Sequence, residues 1–453
     1  GIVRPGLSVR SSRFDLDIRA PVPRLGQHQA MIEQWLSLPP VKSKVAPPQD
    51  RLGEAFDGLK VVDFSWVAVG PITGKALADH GATVIRIESS TRVDYVRTLT
   101  PFKDNEPGIN RSHYYNNLNS SKLGVALNLQ TPEGKQLAKR LIDWADVIVE
   151  NFTPGTMKRL GFDYETLSKE RPELIMISTC LLGQTGPWAS FAGYGPHGAA
   201  ISGLHYITGW PDRPPTGPMG PYTDVIAPRY SVSALAAAIL ERRKSGLGQH
   251  LDVSQVESAI HFLEPLVLDE TVNGRTAHAP GLDSPWACPH GVYPAAGTER
   301  YVAIACETPR QWQSLRSIAP LDAFAGPRFD ALSERLKVRD EIDAALRDWT
   351  VTQEHGELER SLVEAGVPAA VVQRMTDLHA DPQLAERGYF VRLKHSEVGE
   401  IPFDGLITRF SAKKEMLHKA SPCLGEDTEY VMREILGLTP DEIAEYAVAG
   451  VFT

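Results

Sequence analysis

Short apolar runs alternate with helical patterns from Asp57 onward, and this alternation restricts the fold more than any other feature of the chain. The runs are KVVDF, TVIRIE, VALNL, VIVE and LIMIST. Short apolar runs separated by helices are typical of buried parallel strands joined by crossover helices. One of these helices has Thr131 as its N-cap and Pro132 at its first position, two residue types that commonly start a helix. The sequence therefore predicts an α/β fold with a parallel sheet.

The segment from Asp146 to Leu167 predicts a phosphate site within this fold. Its apolar run ends in a polar pair, and a helix is expected to begin at Pro154. That helix carries Lys158 and Arg159 before Gly161 stops it. A strand that leads into a helix N-terminus beside two cations is a place where α/β proteins hold phosphates.

The bulk composition disfavours several classes of protein. A net charge of −9 over 453 residues is unlike that of nucleic-acid-binding proteins, so a polyanionic ligand would have to meet a local basic patch. The four cysteines lie far apart, which predicts reduced thiols and no zinc site. No apolar run approaches the roughly 20 residues of a membrane-spanning helix, and the first residues lack the pattern of a secretory signal. We expect a cytoplasmic protein without a metal, a membrane partner or a nucleic-acid partner.

Changes in composition along the chain predict five regions. They are an N-terminal arm with a Pro-rich linker at 1–56, a large domain at 57–265, a linker at 266–294, a smaller α+β domain at 295–378, and a C-terminal segment at 379–453. The last segment is expected to return to the large domain. A chain of this length can bury more than one core, which agrees with two domains.

The N-terminal arm echoes the C-terminal segment. Leu25–Gly26 and the predicted helix from about Gln27 to Leu38 resemble Leu424–Gly425 and the residues that follow it. The apolar positions that correspond are Ile32 with Val431 and Leu36 with Ile435. One hypothesis is that the arm is the tail of a preceding domain of the same fold in a longer fused protein. The other is a chance similarity between two surface helices.

Five stretches, in order, resemble the family III coenzyme A transferases, the group of crotonobetainyl- and formyl-CoA transferases. They are GLKVVDFSWVAVGPITGKALADHGATVIRIE, NLNSSKLGVALNLQTPEGKQLAKRLIDWADVIVENFTPG, GQTGPWASFAGYG, ERRKSGLGQHLDVS and AGVPAAVVQRMTDLHADPQLAERGYF. The resemblance implies a CoA-transferase with a Rossmann-like large domain, whose subunits form interlocked homodimers or pair with a related domain. Its substrates would be an acyl-CoA donor and a carboxylic acid acceptor, with coenzyme A as a substrate and no tightly bound cofactor.

In the family, catalysis depends on one aspartate before an alanine-rich helix, and the resemblance places it at Asp224. The helix is predicted from about Pro228 to Lys244. The carboxylate would attack the thioester carbonyl of the donor, expel CoA thiolate and form a mixed anhydride. The thiolate would then form an aspartyl-CoA thioester, and the acceptor acid would reverse these steps. From spacing alone, Asp224 also fits a helix N-cap or a turn.

The family positions that contact CoA correspond to residues that follow successive strands. They are Trp66, Val67, Ala68, Val69, Ser89, Leu127, Asn128, Gln130, Asn151, Phe152 and Arg159. A guanidinium matches the geometry of a phosphate, which makes Arg159 the main candidate for a phosphate contact. Lys122, Arg92 and Arg97 would either add positive charge nearby or be solvated surface cations.

Two residues depart from the formyl-CoA transferase-like members of the family. Those members carry glutamine at the position of Ala68 and histidine at the position of Trp66. Loss of both polar groups would disfavour a small dianion such as oxalate and favour a larger or less polar acid. A glycine-rich loop that covers the site in some members has no obvious counterpart, and Thr276–Pro294 is the candidate replacement.

Other functions stay open at this point. An α-methylacyl-CoA racemase of the same superfamily would need a histidine base at the position of Tyr194, unless His197 replaces it. A transferase with an added elimination step, as in dimethylsulfoniopropionate CoA-transferase/lyase, is a second alternative. A scaffolding subunit is disfavoured because Asp224 is present. An NAD-dependent dehydrogenase is disfavoured because no Gly-x-Gly-x-x-Gly follows the first strand.

Overall fold

The computed structural model describes residues 3–16, 18, 20–39, 53–411 and 417–453. The chain divides into two units, and each unit consists of stretches that are separate in sequence. The large unit comprises Gly1–Leu204, Pro218–Thr276 and Gly388–Thr453, and the small unit comprises His205–Gly217 and Ala277–Arg387.

The large unit contains a seven-stranded sheet. Its strands are β1 Val9–Ser11, β2 Lys60–Asp63, β3 Thr83–Glu88, β4 Leu123–Ala126, β5 Val147–Glu150, β6 Ile175–Cys180 and β7 His250–Ser254. Their spatial order is β1-β7-β6-β5-β2-β3-β4, and all pairs are parallel except β1 with β7. Each of the five apolar runs overlaps one of these strands. The predicted α/β fold with a parallel sheet is confirmed.

The large unit also contains helices, most of which connect or cover these strands. They are α1 Gln29–Ser37, α2 Val69–Ala78, α3 His113–Leu118, α4 Pro132–Trp144, α5 Thr156–Leu160, α6 Tyr164–Glu170, α7 Gly195–Ile201, α8 Tyr222–Ser245, α9 Gln255–Phe262 and α10 Glu264–Asn273. Helix α4 begins as predicted, because Thr131 Oγ1 accepts a hydrogen bond from the Gly134 N–H at 3.0 Å.

The alanine-rich helix α8 starts earlier than the sequence predicted. It begins at Tyr222 and contains Pro228, which was expected to mark its start. Proline lacks an N–H, so at this position it leaves the carbonyl of Asp224 without its helical partner. The helix nevertheless continues through this point, and Asp224 lies in its first turn rather than before it.

Helices cover the sheet on both faces. Successive residues of a strand point to opposite sides of the sheet, so neighbouring residues pack against different helices. The neighbours Val61 and Val62 of β2 are both fully buried, yet they belong to different cores. Val62 packs in a cluster with Leu137 of α4, and Val61 packs in a cluster with Leu77 of α2. The central strands are therefore buried on both sides, as their continuous apolar runs indicated.

The strand order reverses between β2 and β5. From β2 the chain continues to β3 and β4 on one side, and from β5 it continues to β6 and β7 on the other. The carboxyl ends of β2 and β5 therefore border the crevice where open α/β sheets bind ligands.

The small unit is an α+β structure with its own core. Its antiparallel sheet consists of β8 His290–Pro294, β9 Tyr301–Ala305 and β10 Ala369–Val371, in the order β10-β9-β8. Its helices are α11 Pro309–Ile318, α12 Leu332–Lys337, α13 Arg339–Thr350, α14 His355–Glu364, α15 Met375–Ala380 and α16 Pro382–Glu386. Trp312 of α11 is fully buried in this core.

The final stretch belongs to the large unit. It contains the hairpin β11 Phe390–His395 and β12 Gly399–Asp404, then α17 Thr428–Tyr430, a π-helical turn at Val431–Ile435 and α18 Pro440–Val448. Val431 and Met432 are fully buried in the cluster that contains Val62.

The boundaries of the units differ from the predicted regions. Residues 266–294, expected to be a linker, contain most of α10 and all of β8. Residues 205–217 belong to the small unit, which extends to Arg387. The Gly281 N–H donates to the Gly209 carbonyl at 3.0 Å and so joins two stretches that are distant in sequence. Composition alone cannot reveal such a contact.

Candidate active site

Two cavities open at the crevice between the ends of β2 and β5. The first, of about 420 Å³, is called the basic cavity here because Arg92 and Arg159 line it. The second, of about 330 Å³, is called the Asp224 cavity because the carboxylate of Asp224 lines it. Trp66 and Phe152 line both cavities, so the two are adjacent.

The structure brings together all the positions that the family resemblance assigned to CoA contact. Those in the basic cavity are Trp66, Ser89, Leu127, Asn128, Gln130, Asn151, Phe152 and Arg159. Those in the Asp224 cavity are Trp66, Val67, Ala68, Val69, Asn151 and Phe152. They meet because the carboxyl ends of parallel strands lie at one edge of the sheet.

The wall between the cavities is held by Asn151. Its side chain accepts a hydrogen bond from the Trp66 N–H at 2.8 Å and donates one to the Trp66 carbonyl at 2.7 Å. The rings of Trp66 and Phe152 meet edge to face, with centroids 5.9 Å apart. Asn151 therefore uses its amide to position the Trp66 backbone, and the aromatic pair forms the wall itself.

The basic cavity carries two guanidinium groups. Arg92 lies over the Trp66 ring, 5.1 Å from its centroid, and Arg159 donates to Thr156 Oγ1 at 2.7 Å. Both side chains are exposed, and neither has an ion-pair partner in the described part of the chain. Helix α5 starts at Thr156, two residues after the predicted Pro154, and faces the same cavity. This end of the crevice can therefore receive an anion such as a phosphate.

Lys122 and Arg97 line neither cavity, and the expectation that they add charge near a phosphate is wrong. Lys122 is fully buried, with its Nζ 2.8 Å from Asp63 Oδ2, and burial lowers its pKa to about 8. Arg97 is buried and donates to both carboxylate oxygens of Glu88 at 2.9 Å. Both cations neutralise internal carboxylates, so they are not available to a ligand.

The loop after β2 contains a strained residue. Val67 has a φ of 65°, which is rare for a β-branched residue and costs about 1–3 kcal/mol. Its N–H donates to both carboxylate oxygens of Asp94 at 3.1 Å, and Asp94 forms an ion pair with the buried Arg86. This buried network fixes the loop in a conformation that would otherwise be disfavoured, directly at the wall of the Asp224 cavity.

Asp224 is almost completely buried, with 5% of its surface exposed. Burial raises the pKa of its carboxyl group to about 6, although the Gly195 N–H and the Gln255 side chain donate hydrogen bonds that favour the anion. The Gln255 oxygen accepts from Thr223 Oγ1 at 3.1 Å, which leaves its amide N–H₂ to face the carboxylate. At neutral pH the group is therefore a desolvated carboxylate with a higher basicity than an exposed aspartate.

The sequence did not reveal three neighbours of Asp224. A Cβ on Gly195 would lie 2.8 Å from Asp224 Oδ2, so only glycine leaves room for the carboxylate. Gln255 follows β7 directly. Because ligand-binding residues of α/β sheets commonly follow the carboxyl ends of strands, this position could have been predicted. Burial and the charge of Asp224 together raise the pKa of Tyr114. Gly195 ends the stretch GQTGPWASFAGYG, but no local pattern in the sequence places it or Tyr114 beside Asp224.

Tyr194 and His197 also line the Asp224 cavity. The Tyr194 N–H donates to His197 Nδ1 at 3.1 Å, so this nitrogen of His197 is occupied as an acceptor at the start of α7. The Tyr194 side chain is about half exposed. His197 therefore holds the N-terminal turn of α7 through one nitrogen.

No group of three or more histidine, cysteine, aspartate or glutamate side chains in residues 3–16, 18, 20–39, 53–411 and 417–453 is arranged to hold a metal ion. In the same ranges, no helix combines the length and the apolar character needed to cross a membrane.

These features define an α/β enzyme whose site extends from a mouth with two exposed guanidinium groups to the buried carboxylate of Asp224. Comparison with known proteins gives its family. The sequence model of CoA-transferase family III matches residues 56–428, and the chain belongs to that family. It is a CoA-transferase, an enzyme that moves coenzyme A between acyl-CoA and carboxylic acid.

Three comparisons illustrate the relationship. Succinyl-CoA–D-citramalate CoA-transferase of Chloroflexus aurantiacus is 29% identical over 86% of this chain and 96% of its own length. A CAIB/BAIF family protein of Brucella suis has a crystal structure with a TM-score of 0.78 and 30% identity, covering 85% of this chain and all of that one. A probable CoA-transferase of Mycobacterium tuberculosis is 29% identical over 94% of this chain, which spans only 53% of that protein.

Proposed function

We propose that this enzyme transfers coenzyme A from an acyl-CoA donor to a carboxylic acid acceptor with Asp224 as the temporary acyl carrier. The observation that carries the proposal is the adjacency of the two cavities. An extended CoA would place its phosphates near Arg92 and Arg159, pass the wall of Trp66 and Phe152, and present its thioester to Asp224.

The reaction consists of two exchanges that mirror each other. Asp224 Oδ attacks the thioester carbonyl of the donor, the C–S bond breaks, and CoA thiolate leaves an aspartyl–acyl anhydride. The thiolate attacks the aspartyl carbonyl, which releases the donor acid and forms an aspartyl-CoA thioester. The acceptor carboxylate then displaces the thiolate, and the thiolate attacks the acceptor carbonyl of the new anhydride. Acceptor acyl-CoA leaves, and Asp224 is again a carboxylate.

The surroundings of Asp224 suit these steps. A carboxylate whose pKa is about 6 is ionised at neutral pH and more nucleophilic than one of ordinary pKa. The Gly195 N–H and the Gln255 amide, which bind the carboxylate, also lie where a developing oxyanion on the aspartyl carbonyl needs donors. Burial keeps water from the anhydride, and a CoA thiolate held in place has an effective concentration on the order of 10⁵ M or more.

The lining of the Asp224 cavity supports an acceptor of limited polarity. Among the described residues no lysine or arginine lines this cavity, and Ala68 and Trp66 stand where formyl-CoA transferase-like members carry polar side chains. The name of the relative from Chloroflexus includes succinyl-CoA, so succinyl-CoA is the first donor to test, beside acetyl-CoA as a donor without a second carboxylate. The double variant Trp66→His and Ala68→Gln should shift the ratio of kcat/KM values toward small dianions such as oxalate. An unchanged ratio would contradict this view of the cavity.

The proposal also includes assembly as an interlocked homodimer, which sedimentation of the purified protein would test. A monomer in solution at assay concentrations would remove this part of the proposal without affecting the chemistry. A racemase would instead exchange the α-proton of an acyl-CoA with solvent, and a transferase with an added elimination step would release an unsaturated product. Incubation in D₂O followed by mass spectrometry of all products distinguishes these outcomes from plain transfer.

Chemical trapping tests the role of Asp224 directly. The enzyme is incubated with succinyl-CoA and then with hydroxylamine, which should convert an aspartyl thioester at residue 224 into a hydroxamate that peptide mass spectrometry can locate. In Asp224→Asn the label should disappear and CoA exchange should fall by about 10⁴-fold or more. A label on another residue, or substantial turnover by the variant, would disprove the mechanism.

A further inference from the structure

Within the N-terminal region 1–56, residues 20–39 form an amphipathic element without a partner in the described part of the chain. From here on, "the arm" means residues 20–39. Every one of its residues is exposed. The apolar residues Met31, Ile32, Trp35 and Leu36 share one face of α1, and Trp35 and Leu36 are 60% and 80% exposed. A contiguous apolar face on an isolated helix marks a surface that another protein element covers.

The arm repeats the local structure of the C-terminal segment. Gly26 and Gly425 each follow a leucine, and each adopts a left-handed conformation, with φ of 76° and 71°. This conformation strongly favours glycine. Both glycines lie in a turn that leads into a helix after three further residues or fewer.

Hydrogen bonds repeat as well. The Arg24 N–H donates to Gln27 Oε1 at 2.9 Å, and the Cys423 N–H donates to Glu426 Oε2 at 2.7 Å. The Gln27 N–H donates back to the Arg24 carbonyl at 3.0 Å, and the Glu426 N–H donates to the Cys423 carbonyl at 3.1 Å. Gln27 and Glu426 thus close their turns with the same pair of hydrogen bonds. This is a closer similarity than two helices with the same apolar pattern would show.

The correspondence continues to the first helical turn. The Ile32 N–H donates to the His28 carbonyl at 3.0 Å, and the Val431 N–H donates to the Asp427 carbonyl at 2.9 Å. Beyond this point the C-terminal segment takes its π-helical turn, whereas α1 stays α-helical. The repeat therefore covers residues 24–32 and 423–431.

In the C-terminal segment this motif covers the edge strand β4. Asp427 Oδ2 accepts from the Gly124 N–H at 2.8 Å, and the Asp427 N–H donates to the Gly124 carbonyl at 2.9 Å. Thr428 Oγ1 accepts from the Ala126 N–H at 3.0 Å. Val431 then enters the core with no exposed surface. The motif thus closes a sheet edge whose backbone groups would otherwise be unpaired.

Since residues 423–431 already cover β4 of this chain, the same motif in the arm cannot take the equivalent place on its own large unit. At the positions of Asp427 and Thr428 the arm has His28 and Gln29, so the side chains that pair with β4 differ between the two copies of the motif. Strand β1 precedes the arm and pairs with β7, which anchors the arm to this unit at the opposite edge of the sheet.

We propose that residues 20–39 dock on the edge strand, equivalent to β4, of a second and different large domain of the CoA-transferase family III fold. The arm would cover that edge as residues 423–431 cover β4, with Ile32 buried in the position of Val431. Strand β1 would link the two domains side by side. A relative that matches 94% of this chain is about twice as long as the match, which leaves room for another domain in that protein.

A graft tests whether the arm is a motif of this kind. In the full chain, residues 423–431 are replaced by the sequence of residues 24–32, except that Asp427 and Thr428 are kept because they pair with β4. A control graft carries Ile32→Asp in addition. The first graft should fold and unfold at a temperature at least about 5 °C above that of the control, since only the control places a charge in the core. A first graft that does not fold, or that matches the control, overturns the proposal.

Photo-crosslinking in the native cells tests the partner. Benzoylphenylalanine in place of Leu36 should crosslink to a family III domain other than this one, at the strand equivalent to β4, and the same probe in place of Gln34 on the opposite face should not. A crosslink to a second copy of this chain, to an unrelated protein or to nothing overturns the proposal. The mass of the crosslinked product shows whether the second domain belongs to the same polypeptide.

Discussion

Replacing Asp224 with asparagine is expected to stabilise the fold at neutral pH while it removes the proposed nucleophile. Burial raises the pKa of this carboxyl group from the ordinary 3.8 to about 6. The folded protein therefore holds the proton more tightly than the unfolded chain, and folding loses stability as the pH rises from about 4 to about 6. The size of this loss is about 3 kcal/mol once the group is fully ionised.

Asparagine avoids this loss because it carries no charge, and its carbonyl oxygen can still accept from the Gly195 N–H. At pH 4 the unfolding temperatures of Asp224→Asn and of the unmodified protein should therefore be nearly equal. By pH 7 the variant should unfold at a temperature several degrees higher than the unmodified protein. Calorimetry or fluorescence-monitored unfolding across this range measures the difference, and taking the difference removes the contribution of the other titrating groups.

The control is Asp163→Asn at the start of α6. Burial acts to raise the pKa of Asp163, but hydrogen bonds from the Thr166 hydroxyl and N–H outweigh it and lower the pKa. Here the folded state favours the anion. Above about pH 4, Asp163→Asn should therefore be less stable than the unmodified protein, whereas Asp224→Asn should be more stable. If Asp224→Asn showed the same unfolding temperature difference at pH 4.5 and pH 7.5, the account of a desolvated carboxylate would be refuted.

Three further outcomes follow from the site. Arg159→Ala and Arg92→Ala should each raise KM for acyl-CoA about tenfold with little change in kcat, because each removes a charge-assisted contact to phosphate; steady-state kinetics would contradict this if kcat fell instead. Lys122→Ala should lower the unfolding temperature without a selective effect on KM, since it leaves Asp63 buried and unpaired. Gly195→Ala should lower kcat about 100-fold because the new methyl group displaces the Asp224 carboxylate. Gly356→Ala, in α14, should leave kcat unchanged, and equal losses in both glycine variants would argue against a local effect.

Much of the fold could be predicted from local patterns. Strand β3 has the bounds of the apolar run TVIRIE, and helix α4 begins after Thr131 as predicted, because apolar period and capping residues are properties of the sequence itself. Helix α8 was placed too late, since Pro228 looked like a start signal although the helix continues through it. The linker at 266–294 was proposed from glycine and proline content, yet hydrogen bonds to residues 205–217 make part of it a piece of the small unit.

By itself the sequence determined the alternation of strands and helices, the family, and the set of residues that lie at the strand ends. These follow from periodicity and from motifs that are continuous along the chain. Only the tertiary structure decided which cations are available to a ligand, because Lys122 and Arg97 resemble Arg159 in sequence but are paired with buried carboxylates. It also decided that Gly195 and Gln255 contact Asp224. In addition, it showed that residues 20–39 cover no strand in the described part of the chain, whereas residues 423–431 cover β4. Burial and pairing depend on residues far apart in the chain, so no local pattern can specify them.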